Sequence, residues 1–112
     1  MTDAPAPLTP VVFHVLLALS GGPLHGYGVM KRVEEDSGLA MGPGTVYGAL
    51  QRLADTGWVA EVDDDAGDAR RGRAFALAPA GREALRREAE RITGLARREE
   101  VRALLLAPEV RG

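Results

Sequence analysis

One stretch limits the folds open to this chain more than any other. From Gly42 to Trp58 it reads Gly-Pro-Gly-Thr-Val-Tyr-Gly-Ala-Leu-Gln-Arg-Leu-Ala-Asp-Thr-Gly-Trp. Pro43 suits a first helical position, where the missing N–H costs nothing. Gly57 suits the residue just past a helix end. Between them Val46, Leu50 and Leu53 fall at i, i+4 and i+7, a single apolar stripe. The other face carries Thr45, Gly48, Gln51 and Arg52, which are small, hydrogen-bonding or basic. A short helix with one greasy seam and one donor face can anchor by the seam. Its other side then fits a major groove, which admits one helix.

The segments around it support this reading. Thr9 can cap a helix begun by Pro10. Val11, Val12, Phe13, Val15, Leu16, Leu17 and Leu19 make that helix apolar on nearly every side, as a central core helix would be. His14 lies within it and reads as a core or boundary residue. Gly21-Gly22-Pro23 turns the chain. A second helix is predicted from about His25 to Ser37, with Tyr27, Met30 and Val33 on its apolar side and Gly38 closing it. Two short helices joined by a Gly-containing turn make a helix-turn-helix.

Two short strands should follow. Trp58 to Asp63 places Trp58, Ala60 and Val62 on one side, and Arg73 to Leu77 places Phe75 and Leu77 on one side. The loop between them is polar and would form the wing of a winged helix. From Pro79 a long helix is predicted to about Ala107, where Pro108 stops it. At 1.5 Å per residue it would be about 42 Å long. Its apolar stripe of Leu85, Ala89, Ile92, Ala96, Leu104 and Leu105 would be exposed on a lone chain, so a second copy is the simplest cover. Thr93-Gly94 is a weak point that could mark a bend.

Composition narrows the function. A chain of 112 residues fits one small domain with a limited core, which favours oligomerisation. It has no cysteine, which excludes a disulfide framework and any thiolate metal site. Met1 to Pro7 lack the basic start and apolar run of a secretory signal, and the run from Val15 to Leu19 is too short to span a bilayer. A cytoplasmic protein is expected. The net charge of −2 does not advertise nucleic acid, but Arg70, Arg71 and Arg73 form a local basic cluster. Screening confines distant charges to a range of about 10 Å at 0.1 M salt. The acidic run beside them fails as an EF-hand: counting from Asp63, the sixth position is Asp68 and the twelfth Ala74. His14 and His25 are the only histidines, and neither has a nucleophile or acidic pair at telling spacing. Gly42-Pro43-Gly44 lacks the rest of a dinucleotide or P-loop motif. An enzyme is not expected, nor a cofactor or a metal.

The residues also carry a family likeness. Gly44-Thr45-Val46-Tyr47-Gly48-Ala49-Leu50-Gln51-Arg52-Leu53, closed by Gly57-Trp58-Val59, resembles the third helix of the PadR family of bacterial transcriptional regulators. His25-Gly26-Tyr27-Gly28 resembles the family's His-Gly-Tyr, and Leu77-Ala78-Pro79-Ala80-Gly81-Arg82 its Leu-Thr-x-x-Gly-Arg. The chain departs in two places. Ala74 stands where the family has a tyrosine, and Ala78 where it often has a threonine cap, worth on the order of 1 kcal/mol.

Residues and resemblance together give a mainly α fold with a small β-hairpin. A winged helix-turn-helix over residues 8–78 is followed by a dimerisation helix over 79–107. The expected partners are an operator in double-stranded DNA and a second copy. The expected DNA contacts are His25, Tyr27, Thr45, Tyr47, Gln51, Arg52, Arg70, Arg71 and Arg73. For Tyr47 packing on the second helix is an equal alternative, and for His25 a plain turn role. The resemblance further implies a small-molecule inducer, although the last helix has no aromatic residue to stack on a planar ligand. Rival readings are a protein-interaction module and a small-molecule sensor that never meets DNA.

Overall fold

The computed structural model describes residues 7–63 and 73–106. Its elements in order are α1 (Pro10–Leu19), β1 (Leu24–His25), α2 (Gly26–Ser37), α3 (Pro43–Asp55), β2 (Val59–Val62), β3 (Ala74–Leu77), α4 (Pro79–Ala96) and α5 (Glu99–Leu106).

Helix α1 starts as its sequence predicts. Thr9 is the N-cap, its Oγ1 accepts from the Val12 N–H at 3.2 Å, and Pro10 follows. Val15, Leu16, Ala18 and Leu19 are buried and form the centre of the core. Around them pack Val29 and Val33 of α2, Val46, Ala49, Leu50 and Leu53 of α3, Val59 and Phe75 of the sheet, and Leu85 of α4. Helix α2 therefore buries the i, i+4 pair Val29 and Val33 and leaves Tyr27 60% exposed, which corrects the stripe expected through Tyr27, Met30 and Val33. That helix also begins one residue later than expected, because His25 is taken into a strand.

The hairpin has a third strand. The sheet order is β1-β3-β2, antiparallel throughout, with Leu24 opposite Phe75 and Val59 opposite Leu77. Strand β2 starts after Trp58, not at it. Val59 faces the core while Ala60 is exposed, the reverse of the expected alternation. The cause is the way α3 ends. Gly57 takes φ 86°, a left-handed conformation that glycine reaches at no steric cost. Its N–H donates to the Ala54 carbonyl at 3.1 Å, and the Trp58 N–H donates to the Leu53 carbonyl at 2.9 Å. These two bonds make a Schellman close, which holds Trp58 in the turn and hands the first inward strand position to Val59.

The carbonyl of Trp58 then fixes α4. It accepts the Ala78 N–H at 2.9 Å, one residue before the helix begins. Ala78 makes no side-chain cap, as its alanine dictates. One turn later Gly81 is buried against the same carbonyl group, and a methyl at Gly81 would overlap the Trp58 backbone. Glu88 is the one buried charged residue described. Its carboxylate accepts from Arg91 at 2.6 and 3.0 Å. The Arg91 guanidinium, with a smaller contribution from the Leu8 N–H, holds that carboxyl below its ordinary range against the opposing effect of burial.

The expected continuous helix from Pro79 to Ala107 is broken in two. Helix α4 closes at Ala96, where the Arg97 N–H turns to the carbonyls of Thr93 and Gly94. Thr and Gly have poor helix propensity, so the last turn of α4 is weak. Glu99 and Glu100 favour a fresh N-terminus, where the helix dipole attracts negative charge. No residue of α5 is buried. The radius of gyration is 16.7 Å, against about 13 Å for a compact chain of this size.

Two glycines of α4 should respond in opposite senses. Gly81→Ala should cost about 1–3 kcal/mol by forcing backbone apart. Gly94→Ala meets open space and should add about 1 kcal/mol. Urea unfolding followed by circular dichroism measures both.

Candidate nucleic-acid interface

Helix α3 is held on one side and open on the other. Val46 and Leu50 are fully buried, and Leu53 and Ala49 nearly so. Thr45, Gln51 and Arg52 are exposed and Gly48 is half-buried. Pro43 occupies the first turn and Gly42 is the N-cap, without a side-chain bond. Farthest from the core run Gly44, Gly48, Gln51 and Asp55, spaced at i, i+4, i+7 and i+11. The first two offer bare backbone. Next along this line, the Gln51 Nε2 donates to the Asp55 Oδ1 at 3.2 Å. Arg52 lies alongside, with its Nη1 beside Gly48 and no ion pair among the described residues.

Tyr47 is half-buried and its ring rests on Gly26, the first residue of α2. A methyl at Gly26 would overlap the ring around Cζ and the hydroxyl. Packing on the second helix is therefore what the structure gives Tyr47, and a bare Gly26 is what makes room for it. His25 is the N-cap of α2 through its backbone, without a side-chain cap bond, and pairs with Ala74 across the sheet. Tyr27 is exposed on the same first turn. His25, Tyr27 and Tyr47 thus gather at the start of α2, beside the first half of α3.

The wing is less simply basic than its sequence. Arg70 and Arg71 lie outside the described residues. Arg73 is exposed and lies along the hairpin. Its Nη1 is 3.4 Å from the Glu61 Oε1, and its guanidinium carbon lies 5.8 Å from the centre of the Phe75 ring. Glu61 lies on the neighbouring strand, so this exposed pair links β2 to the start of β3 and partly offsets the Arg73 charge. The sequence alone does not single out Glu61, because the pairing depends on the strand register that sets Glu61 opposite Phe75.

The residues expected between copies divide. Leu85 is 7% exposed and packs in this chain's own core, so it is not on an open seam. Its place on α4, one turn after Gly81, brings it against α1. Ala89 and Ala96 are exposed and Ile92 is 40% exposed. On α5, Leu104, Leu105 and Leu106 are each 73–76% exposed. Leu95, also exposed, extends this surface and was not expected there. Among the described residues no group of acidic or histidine side chains could hold a metal ion. No helix there is long and apolar enough to cross a membrane.

The Tyr47 seat can be tested by coupling. Gly26→Ala should cost about 1–3 kcal/mol in the natural background. In a Tyr47→Leu background, where the ring is gone, the same change should cost measurably less. A double-mutant cycle by thermal unfolding reads the difference.

Comparison with known proteins agrees with this architecture. The profile of the transcriptional regulator PadR-like family matches residues 15–87. An uncharacterised 37.1 kDa protein in a transposon of Streptomyces fradiae is 45% identical over 84 residues, which cover 75% of this chain and 23% of that protein. The chain thus spans about a quarter of that relative's length. Among solved structures, a PadR family transcription regulator from hypervirulent Clostridium difficile matches with a TM-score of 0.69 at 20% identity, over 88% of this chain and all of the other. Bacillus subtilis PadR in complex with operator DNA matches with a TM-score of 0.61 at 20% identity, over 93% of this chain and 53% of the other. The match runs from the middle of α1 to the middle of α4, and this chain belongs to the PadR-like family of transcriptional regulators.

Proposed function

We propose that the chain is a dimeric repressor that binds a palindromic operator through α3 and the wing. Residues 8–78 would form the DNA-binding unit and residues 79–107 the dimerising segment. The observation that carries this reading is α3 itself. A fully buried seam fixes the helix, and a continuous polar face lies open to solvent. Thr45, Tyr47, Gln51 and Arg52 serve as groove contacts, with His25 and Tyr27 on phosphate at the start of α2. Arg70 and Arg71 hold the flank, and Arg73 links β2 to the start of β3. The relative from Bacillus subtilis, solved on operator DNA, supports the same use of the fold.

The dimer rests on exposed apolar surface. Ile92 and Leu95 are about two-fifths exposed and the three leucines of α5 about three-quarters exposed, an apolar surface along the C-terminal helices. Pairing through them supplies the two-fold symmetry, and two α3 helices then meet half-sites about 34 Å apart, one turn of duplex. An inducer would release the DNA.

Two measurements test the reading. DNA selected from a random pool should bind the full chain, and Arg52→Ala should weaken that binding with the fold intact. The slope of log affinity against log salt should fall by about 0.9 if Arg52 holds one phosphate. A slope unchanged in Arg52→Ala removes Arg52 from the phosphate contacts. The assembly is tested separately. Ile92→Glu or Leu105→Glu should convert a dimer to a monomer by light scattering, and a charge that leaves the dimer whole at both positions counts against this surface.

A further inference from the structure

We infer that Gln51, with its amide oriented by Asp55, reads an adenine in the major groove, and that Asp55 is the positioning residue for this specificity. The inference rests on the DNA-binding reading above. Three observations carry it. Gln51 is the first side chain on the outermost line of α3, because Gly44 and Gly48 precede it with none. Among the described residues nothing else lies where a side chain at Gly44 would start, and only the Arg52 guanidinium approaches that place at Gly48. A groove floor can therefore come close to the backbone, and Gln51 is long enough to meet it.

The second observation is the bond from the Gln51 Nε2 to the Asp55 Oδ1 at 3.2 Å. An ionised carboxylate only accepts, so the amide nitrogen must face Asp55. One N–H is then engaged. A second N–H and the Oε1 lone pairs remain, one donor beside one acceptor. Adenine alone offers the matching pair on its major-groove edge, the N7 acceptor and the N6 donor. Guanine presents two acceptors there, cytosine a donor, and thymine an acceptor with a methyl group.

The third observation is that Asp55 is tied to the rest of the chain by little besides Gln51, and an i,i+4 pair of this kind stabilises a helix only slightly. It sits in the last turn of α3, where the helix dipole disfavours an anion. It has no cation partner among the described residues. Its one described side-chain bond is the one that orients Gln51.

Selection of the full chain from a random duplex pool, followed by competition binding with all four bases at each selected position, tests the inference. The natural chain should prefer adenine at one position of each half-site. Gln51→Ala should flatten the preference there by about tenfold and leave other positions unchanged. Asp55→Ala should weaken discrimination at that same position, and Asp55→Asn, which keeps an acceptor Oδ1, should restore it. Thermal unfolding of each variant confirms the fold. If the natural chain selects a sequence but Gln51→Ala keeps every base preference, the inference is overturned and the DNA reading stands. It is overturned in the same way if Asp55→Ala discriminates as well as the natural chain, or if Asp55→Asn fails to restore what Asp55→Ala loses. If the natural chain selects nothing, the DNA reading falls and the inference with it.

Discussion

The backbone of Trp58 is the junction on which this structure turns. Its N–H closes α3 on the Leu53 carbonyl, and its carbonyl receives Ala78 at the head of α4. One residue thus registers helix, hairpin and helix. The first contact depends on a left-handed Gly57, and the second leaves so little room that the facing helix residue has to be Gly81. The family's Gly-Arg after the hairpin has a physical reason here: a side chain would separate α4 from the carbonyl that positions it. The end of the polar helix and the start of α4 therefore share one anchoring residue.

What is legible in the sequence is legible because its cause is local. Pro43, Gly57 and the stripe of Val46, Leu50 and Leu53 place α3 to within a residue or two, and Thr9-Pro10 does the same for the start of α1. What is not legible depends on partners far along the chain. Strand β1 has two residues, too few to carry a pattern, and exists because Leu24 and His25 find Phe75 and Ala74 across the sheet. Tyr27 looks like a core residue by spacing, yet Val29 and Val33 hold the buried face because α1 and α3 meet α2 from that side. Leu85 belongs to the same apolar stripe as Ile92, and periodicity cannot say where a chain's own core stops and open surface begins.

The candidate site divides in the same way. The exposed face of Thr45, Gln51 and Arg52 follows from the buried seam opposite, so helical spacing alone reveals it. The partners that set side chains in place are not legible. Gly26 is defined as the seat of Tyr47 only once α2 and α3 cross, and Arg73 finds Glu61 only in the observed strand register. Asp55 is readable in principle, since i, i+4 partners meet on any helix. Yet spacing alone does not say which of two rotamers an exposed glutamine takes, and the bond to Asp55 is what settles it.

Charge placement gives the proposed function a particular character. On α4, Arg86 and Arg87 bond to Glu83, Arg86 also to Glu90, and Arg91 to Glu88. On α5, Glu100 holds Arg98. These guanidiniums are neutralised by their own helices or the turn beside them, and Arg73 in part by its hairpin partner. A chain of net charge −2 with so many internal pairs brings few cations to a duplex. Non-specific binding is almost wholly counterion release, so it should be weak here. Specific binding would then draw more of its free energy from base edges and from having two copies engage at once. A weak sequence-independent grip lowers matched and unmatched binding together, so discrimination between an operator and other DNA would rest on the base edges that α3 meets.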